Sequence, residues 1–164
     1  MKSSTDENYL KTAEKNILDG NYGTAIEYLT KEIARDPESL IAYRNRGVAK
    51  GILGEYEAAM EDLDKALRID AKDVYAYYNR GNVKKDMGRY EEAMADYNKA
   101  RQLDEKFAQP HFGLGEVKLK TGKADEAFEH YIEAAHLAKN SNNQKYVDLA
   151  QERIKKVLQY KRAS

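Results

Sequence analysis

A chain of 164 residues with 28 basic and 28 acidic side chains carries no net charge, so it lacks the electrostatic footprint of a partner for nucleic acid or an anionic membrane. Charged residues make up 34% and hydrophobic ones 41%; at zero net charge that balance argues against disorder and for a helical protein with much surface per residue. There is no cysteine, which excludes disulfides and thiolate chemistry and fits a reducing compartment.

The opening residues, MKSSTDENYLKT, have no apolar core of the secretory kind, and no run of 18 apolar residues occurs. The expectation is a cytoplasmic protein without membrane insertion. Further along, the chain repeats itself. Gly20, Gly54, Gly88 and Gly122 lie 34 residues apart, and each is followed five residues later by an alanine: Ala25, Ala59, Ala93, Ala127. Gly47, Gly81 and Gly115 stand seven residues before three of these glycines, with Ala13 in the first instance. Tyr22, Tyr56 and Tyr90 follow the linker glycines, with Ala124 in the last instance; Tyr9, Tyr43, Tyr77 and His111 precede the upstream small residues. Residues 40–73 and 74–107 agree at 16 of 34 positions, far too many for coincidence. A fixed period of this length implies stacked supersecondary units, here 6–39, 40–73, 74–107 and 108–141.

Within one unit, Val74, Tyr77, Tyr78, Gly81 and Val83 keep helical spacing until Gly88, which ends the helix in the left-handed cap conformation. Ala93, Met94, Tyr97, Ala100 and Leu103 then mark a second amphipathic helix. Each unit is therefore an antiparallel helix pair with a short turn, and its upstream glycine and first alanine fall where the helices cross. After residue 141 the period stops. SNNQ supplies a capping signal, and Tyr146, Ala150, Ile154, Val157 and Leu158 form an apolar stripe, which predicts a capping helix over about 143–161. Residues 142–164 hold six basic and two acidic side chains, read as a solvated outer face.

The pattern Y-x-x-x-G, then G-x-Y-x-x-A-x-x-x-Y/L-x-x-A, at a period of 34 resembles the tetratricopeptide repeat. The resemblance implies an all-α fold, a right-handed α-solenoid of four helix-turn-helix repeats plus the capping helix. Two departures stand out. The family's late proline occurs only as Pro37, and the leucine usual before the upstream glycine is Arg46 and Arg80 in the middle units.

No chemistry is apparent. His111, His130 and His136 include no pair at a spacing of three or four, so the helical zinc arrangement is missing. GLGEVK lacks a third glycine and lies within a helix; TGKA ends like a phosphate loop, but Ala124 cannot supply the magnesium hydroxyl. No enzyme activity, cofactor or metal is expected. The resemblance implies a ligand groove lined by the first helix of each unit, and hence a scaffold that binds a peptide or protein segment. Its candidate positions are Arg44, Asn45, Val48, Tyr75, Tyr78, Asn79, Asn82, Phe112 and Glu116, with Ile41 and Ile52 on the same face. Asn45 and Asn79, one period apart, offer both donor and acceptor to a peptide backbone. The carboxylate clamp of relatives that hold chaperone tails falls on Leu10, Glu14, Asn45, Tyr75 and Asn79, of which only Asn45 matches. Self-assembly into homo-oligomers is the alternative expectation; nucleic acid is not expected as a partner.

Overall fold

A computed structural model describes residues 8–163, in which nine α-helices and no strand occur. They are α1 (Tyr9–Leu18), α2 (Tyr22–Arg35), α3 (Leu40–Ile52), α4 (Tyr56–Ile69), α5 (Val74–Asp86), α6 (Tyr90–Leu103), α7 (Ala108–Lys120), α8 (Ala124–Asn140) and α9 (Gln144–Ala163). The opening stretch read for a leader, and the start of the first expected unit at residue 6, lie outside the described residues. The chain divides into two compact units, Met1–Asn79 and Arg80–Ser164, with α5 contributing to both.

The 34-residue period is built from two alternating turns. The tight turn inside each pair uses the linker glycine, which takes φ near +80° at Gly20, Gly54, Gly88 and Gly122. There the amide of the following residue reaches back five positions, as in Asn21 N to Asn16 O at 2.8 Å and Arg89 N to Lys84 O at 2.8 Å. Only this left-handed geometry lets the last carbonyls of the first helix be met so quickly. The turn between pairs uses aspartate. Asp36, Asp70 and Asp104 leave the helix with extended backbone, and each carboxylate accepts from the amide two residues on, at 3.1, 2.8 and 2.9 Å.

Packing inside each pair follows the small residues. Ala25, Ala59, Ala93 and Ala127 are wholly buried. Gly47 faces Leu63, Gly81 faces Tyr97 and Gly115 faces Tyr131, in each case so closely that a Cβ would come within 2.8 Å of that side chain. The glycines thus let a bulky second-helix residue enter the crossing. In the second unit α9 covers α8 in the role expected of a capping helix. Val147, Ala150 and Val157 are buried, and Ile154 packs beside Tyr131. Asn142, with φ 55°, takes the place of the linker glycine ahead of α9; asparagine tolerates that conformation better than most residues.

Candidate functional site

The arginines that replace the family's leucine have a structural purpose. In the α3–α4 pair, Arg46 forms two hydrogen bonds to buried Asp62, at 2.8 and 2.7 Å, and Lys50 adds a third cation–carboxylate contact at 2.8 Å. In α5–α6, Arg80 and Lys84 meet buried Asp96 in the same way, at 2.7 to 2.9 Å. Two cations one helical turn apart therefore grip one carboxylate on the partner helix. The Asp62 carboxylate holds the Arg46 guanidinium above its already high pKa range. These charges hold the two helices of each pair together. Among the described residues no cluster of three His, Asp or Glu could hold a metal ion, and no helix is long and apolar enough to cross a membrane.

The nine candidate positions divide by unit. In the first unit, Ile41, Asn45, Val48 and Ile52 recur at intervals of four, three and four residues, forming one stripe along α3. Ile41 and Ile52 are exposed, at 41% and 55%. Leu18, one period before Ile52, ends α1 at 87% exposure, and Leu53 follows Ile52 at 49%. Tyr75 opens α5 at 55% exposure. Asn45 and Asn79 are partly exposed, and neither amide makes a side-chain hydrogen bond within the described residues. Tyr78, which precedes Asn79 in sequence, is half-buried. Arg44 differs. Its guanidinium donates to Asp73 at 2.7 Å and lies over the Tyr75 ring, 5.2 Å from the centroid. The acidic group it meets belongs to this chain.

In the second unit the candidates are engaged by neighbours. Asn82 accepts a hydrogen bond from the Tyr97 hydroxyl at 2.8 Å. Glu116 accepts from the Tyr131 hydroxyl at 2.9 Å and from Arg153 of α9 at 2.7 Å. Burial, with the Glu116 carboxylate next to it, pushes the Tyr131 hydroxyl above its ordinary range, so it remains a donor. Phe112 packs against Tyr131 and meets Tyr146 of α9 edge-on, with centroids 5.4 and 6.0 Å away. The sequence carries a signal for this. The positions of Val48 and Leu63 become Asn82 and Tyr97 one period later, then Glu116 and Tyr131. An apolar pair is replaced, both members together, by a hydroxyl and its acceptor.

Comparison with known proteins agrees with this architecture. Residues 52–88 and 81–122 match the family model described as TPR repeat, so this stretch of the chain carries the repeat that the sequence pattern resembles. A thermophilic TPR protein of Thermus thermophilus superposes with a TM-score of 0.80 at 22% identity, over 93% of this chain and 83% of the other. PilF of Pseudomonas aeruginosa gives 0.71 at 23% identity, over 92% and 75%. The first TPR domain of Spaghetti, bound to an HSP90 peptide, gives 0.65 at 24% identity, over 70% and 90%. At such identities the likeness shows the fold, an all-α solenoid of helix-turn-helix repeats. No curated protein matches the chain in sequence.

Proposed function

We propose that the chain is a non-catalytic scaffold that holds a peptide or protein segment on the first-helix face of its N-terminal unit. One observation carries this reading. Of the seven exposed large hydrophobic side chains described, five (Leu18, Ile41, Ile52, Leu53 and Tyr75) lie on first helices of that unit or directly after one. Solvated apolar groups gathered on equivalent elements mark a surface that gains by being covered. Asn45 and Asn79 supply unengaged amides on the same helices, suited to the backbone of an extended segment. Val48 and Tyr78 complete that face. Asn82, Phe112 and Glu116 act in this reading as supports, since each already has a partner in α6, α8 or α9.

The Spaghetti domain is bound to the peptide SRMEEVD. That ligand type does not transfer here, because Leu10, Glu14, Tyr75 and Asn79 stand where a carboxylate clamp has its lysines, asparagine and arginine. Uncharged or apolar segments suit the exposed stripe better.

The test is affinity capture from the native source, followed by titration of the captured partner against variants. Tyr75→Ala and Asn45→Ala should weaken binding strongly, with an aromatic anchor contributing about 2 kcal/mol. Glu92→Ala, an exposed α6 residue paired only with Arg89, should change little. Equal losses from all three would place the ligand elsewhere. Light scattering across a concentration series addresses self-assembly: a mass that doubles as concentration rises, and that Ile52→Asp reverts, would make a second copy the occupant.

A further inference from the structure

The α7–α8 pair departs from its two middle siblings, α3–α4 and α5–α6, at one point. Where α4 and α6 carry Asp62 and Asp96, α8 carries His130; where α3 and α5 carry Arg46 and Arg80, α7 carries Leu114. The lysine of the grip persists as Lys118, but it reaches to Glu126 at 2.6 Å. His130 instead packs against His111, which occupies the position of Tyr43 and Tyr77. The ring centroids are 5.7 Å apart and the planes tilted by 54°. Nδ1 of His111 is buried and makes no hydrogen bond.

Other charges surround the two rings. From α6 comes Arg101, which with Gln102, Glu105 and His111 lines a cavity of about 260 Å³. From α7 comes Lys118, and from α8 come Glu126 and Glu133. Glu126 is already paired with Lys118; Glu133 opposes Arg101 at His111, and Glu105 lines the cavity beside Arg101.

We propose that the His111–His130 contact is an acid-sensitive latch that closes α7 on α8 while both rings are neutral and loosens the pair, together with the α9 docked on it, when the rings take up protons. Protonation sets two imidazolium rings against each other beside Arg101, at the locus where both sibling pairs place a carboxylate between cations. Burial works in the same direction. It lowers the pKa of His130 from 6.5 to about 4, helped by His111 and Arg101, and it lowers that of His111, again with Arg101 contributing. The folded pKa lies below the unfolded one, so the stabilisation is complete above about 6.5 and drains away as pH falls toward 4. The only other histidine is His136, exposed on α8, so α1 to α6 contain no imidazole and should not share the response.

Hydrogen exchange read helix by helix at pH 7 and pH 5, corrected for intrinsic rates, tests the latch. Protection of α7, α8 and α9 should fall about tenfold further than that of α3 and α4, a figure already reduced for the partial exposure of the rings. His111→Tyr combined with His130→Asn should abolish this difference. Imidazole proton resonances of the wild-type chain give a second measure, and both half-buried rings should titrate below the usual histidine range. Three results overturn the proposal: uniform loss of protection over all helices, an undiminished response in the double variant, or ordinary midpoints for both rings. If the double variant does not fold, the wild-type exchange and titration still decide.

Discussion

Alanine at position 113 offers a sharp test of the packing, because neighbouring contacts fix the sign of its effect. A Cβ on Gly113 would lie 2.6 Å from Cζ of Tyr97 and within 2.9 Å of both flanking ring carbons. The ring cannot retreat. Its other side already abuts Gly81, where a Cβ would come within 2.7 Å, and Tyr97 is wholly buried with its hydroxyl held by Asn82. Overpacking of this kind costs about 1–3 kcal/mol, while exchanging a mid-helix glycine for alanine returns about 0.5–1 kcal/mol. The net is a loss of up to about 2.5 kcal/mol, or a melting temperature lower by up to about 8 °C. Gly23→Ala is the control: Gly23 lies in α2, exposed, with nothing within 4 Å of its Cβ position, so only the helix preference remains and stability should rise. Urea denaturation with an unchanged m-value reads both. The chain itself suggests a third variant. One period earlier the positions equivalent to Tyr97 and Gly113 hold Leu63 and Asn79, a residue that has a Cβ. In a Tyr97→Leu background, Gly113→Ala should therefore lose most of its penalty. If Gly113→Ala stabilises as Gly23→Ala does, or if Tyr97→Leu leaves its cost unchanged, the wedge of Tyr97 between two glycines is not what holds these helices apart.

Three further outcomes follow from the same contacts. Ala93→Leu, at a wholly buried helix crossing, should destabilise by about 1–3 kcal/mol in thermal melts. Asp96→Asn leaves Arg80 and Lys84 beside a neutral amide and should cost about 3–5 kcal/mol by denaturant titration, well beyond the effect of changing an exposed pair such as Arg89 and Glu92. Deleting 142–164 uncovers the apolar surface around Ala138 and Tyr131 that α9 buries, so the truncated chain should melt earlier and scatter light as an aggregate.

Most of the architecture was legible in the sequence because it rests on residues with few alternatives. Glycine at 20, 54, 88 and 122 takes a left-handed conformation that other residues resist, and the small residues at the crossings admit no bulk. The candidate surface was legible only in part. Helical periodicity places Asn82, Phe112 and Glu116 on the same kind of face as Asn45 and Val48, but it says nothing of what lies opposite. Tyr97, Tyr131 and Tyr146 lie opposite, and they change solvated positions into structural ones. Arg46 and Arg80 looked like missing leucines for the same reason: their partners, Asp62 and Asp96, sit 16 residues away on the other helix of the pair. That offset, repeated one period later with a lysine four residues after each arginine, was present in the sequence as a signal. The Arg153–Glu116 pair was not, because its 37-residue separation follows no period.

The co-substitution of Val48 with Leu63, Asn82 with Tyr97 and Glu116 with Tyr131 bears on how such a chain can grow and be rearranged. Each lock has its two halves within one helix pair, so a pair behaves as a cassette that brings its own key. Duplicating or transplanting a whole cassette keeps hydroxyl and acceptor together. A crossover placed at the linker glycine, between the two helices, would set Val48 against Tyr97 and strand a buried hydroxyl with no acceptor, which commonly costs about 1–3 kcal/mol. Recombination at the aspartate turns should therefore keep each hydroxyl with its acceptor, provided the pair that follows α6 brings a glycine where Gly113 admits Tyr97, and recombination at the glycine turns should be pruned. The natural joint of this molecule lies at Asp36, Asp70 and Asp104, where one pair hands over to the next.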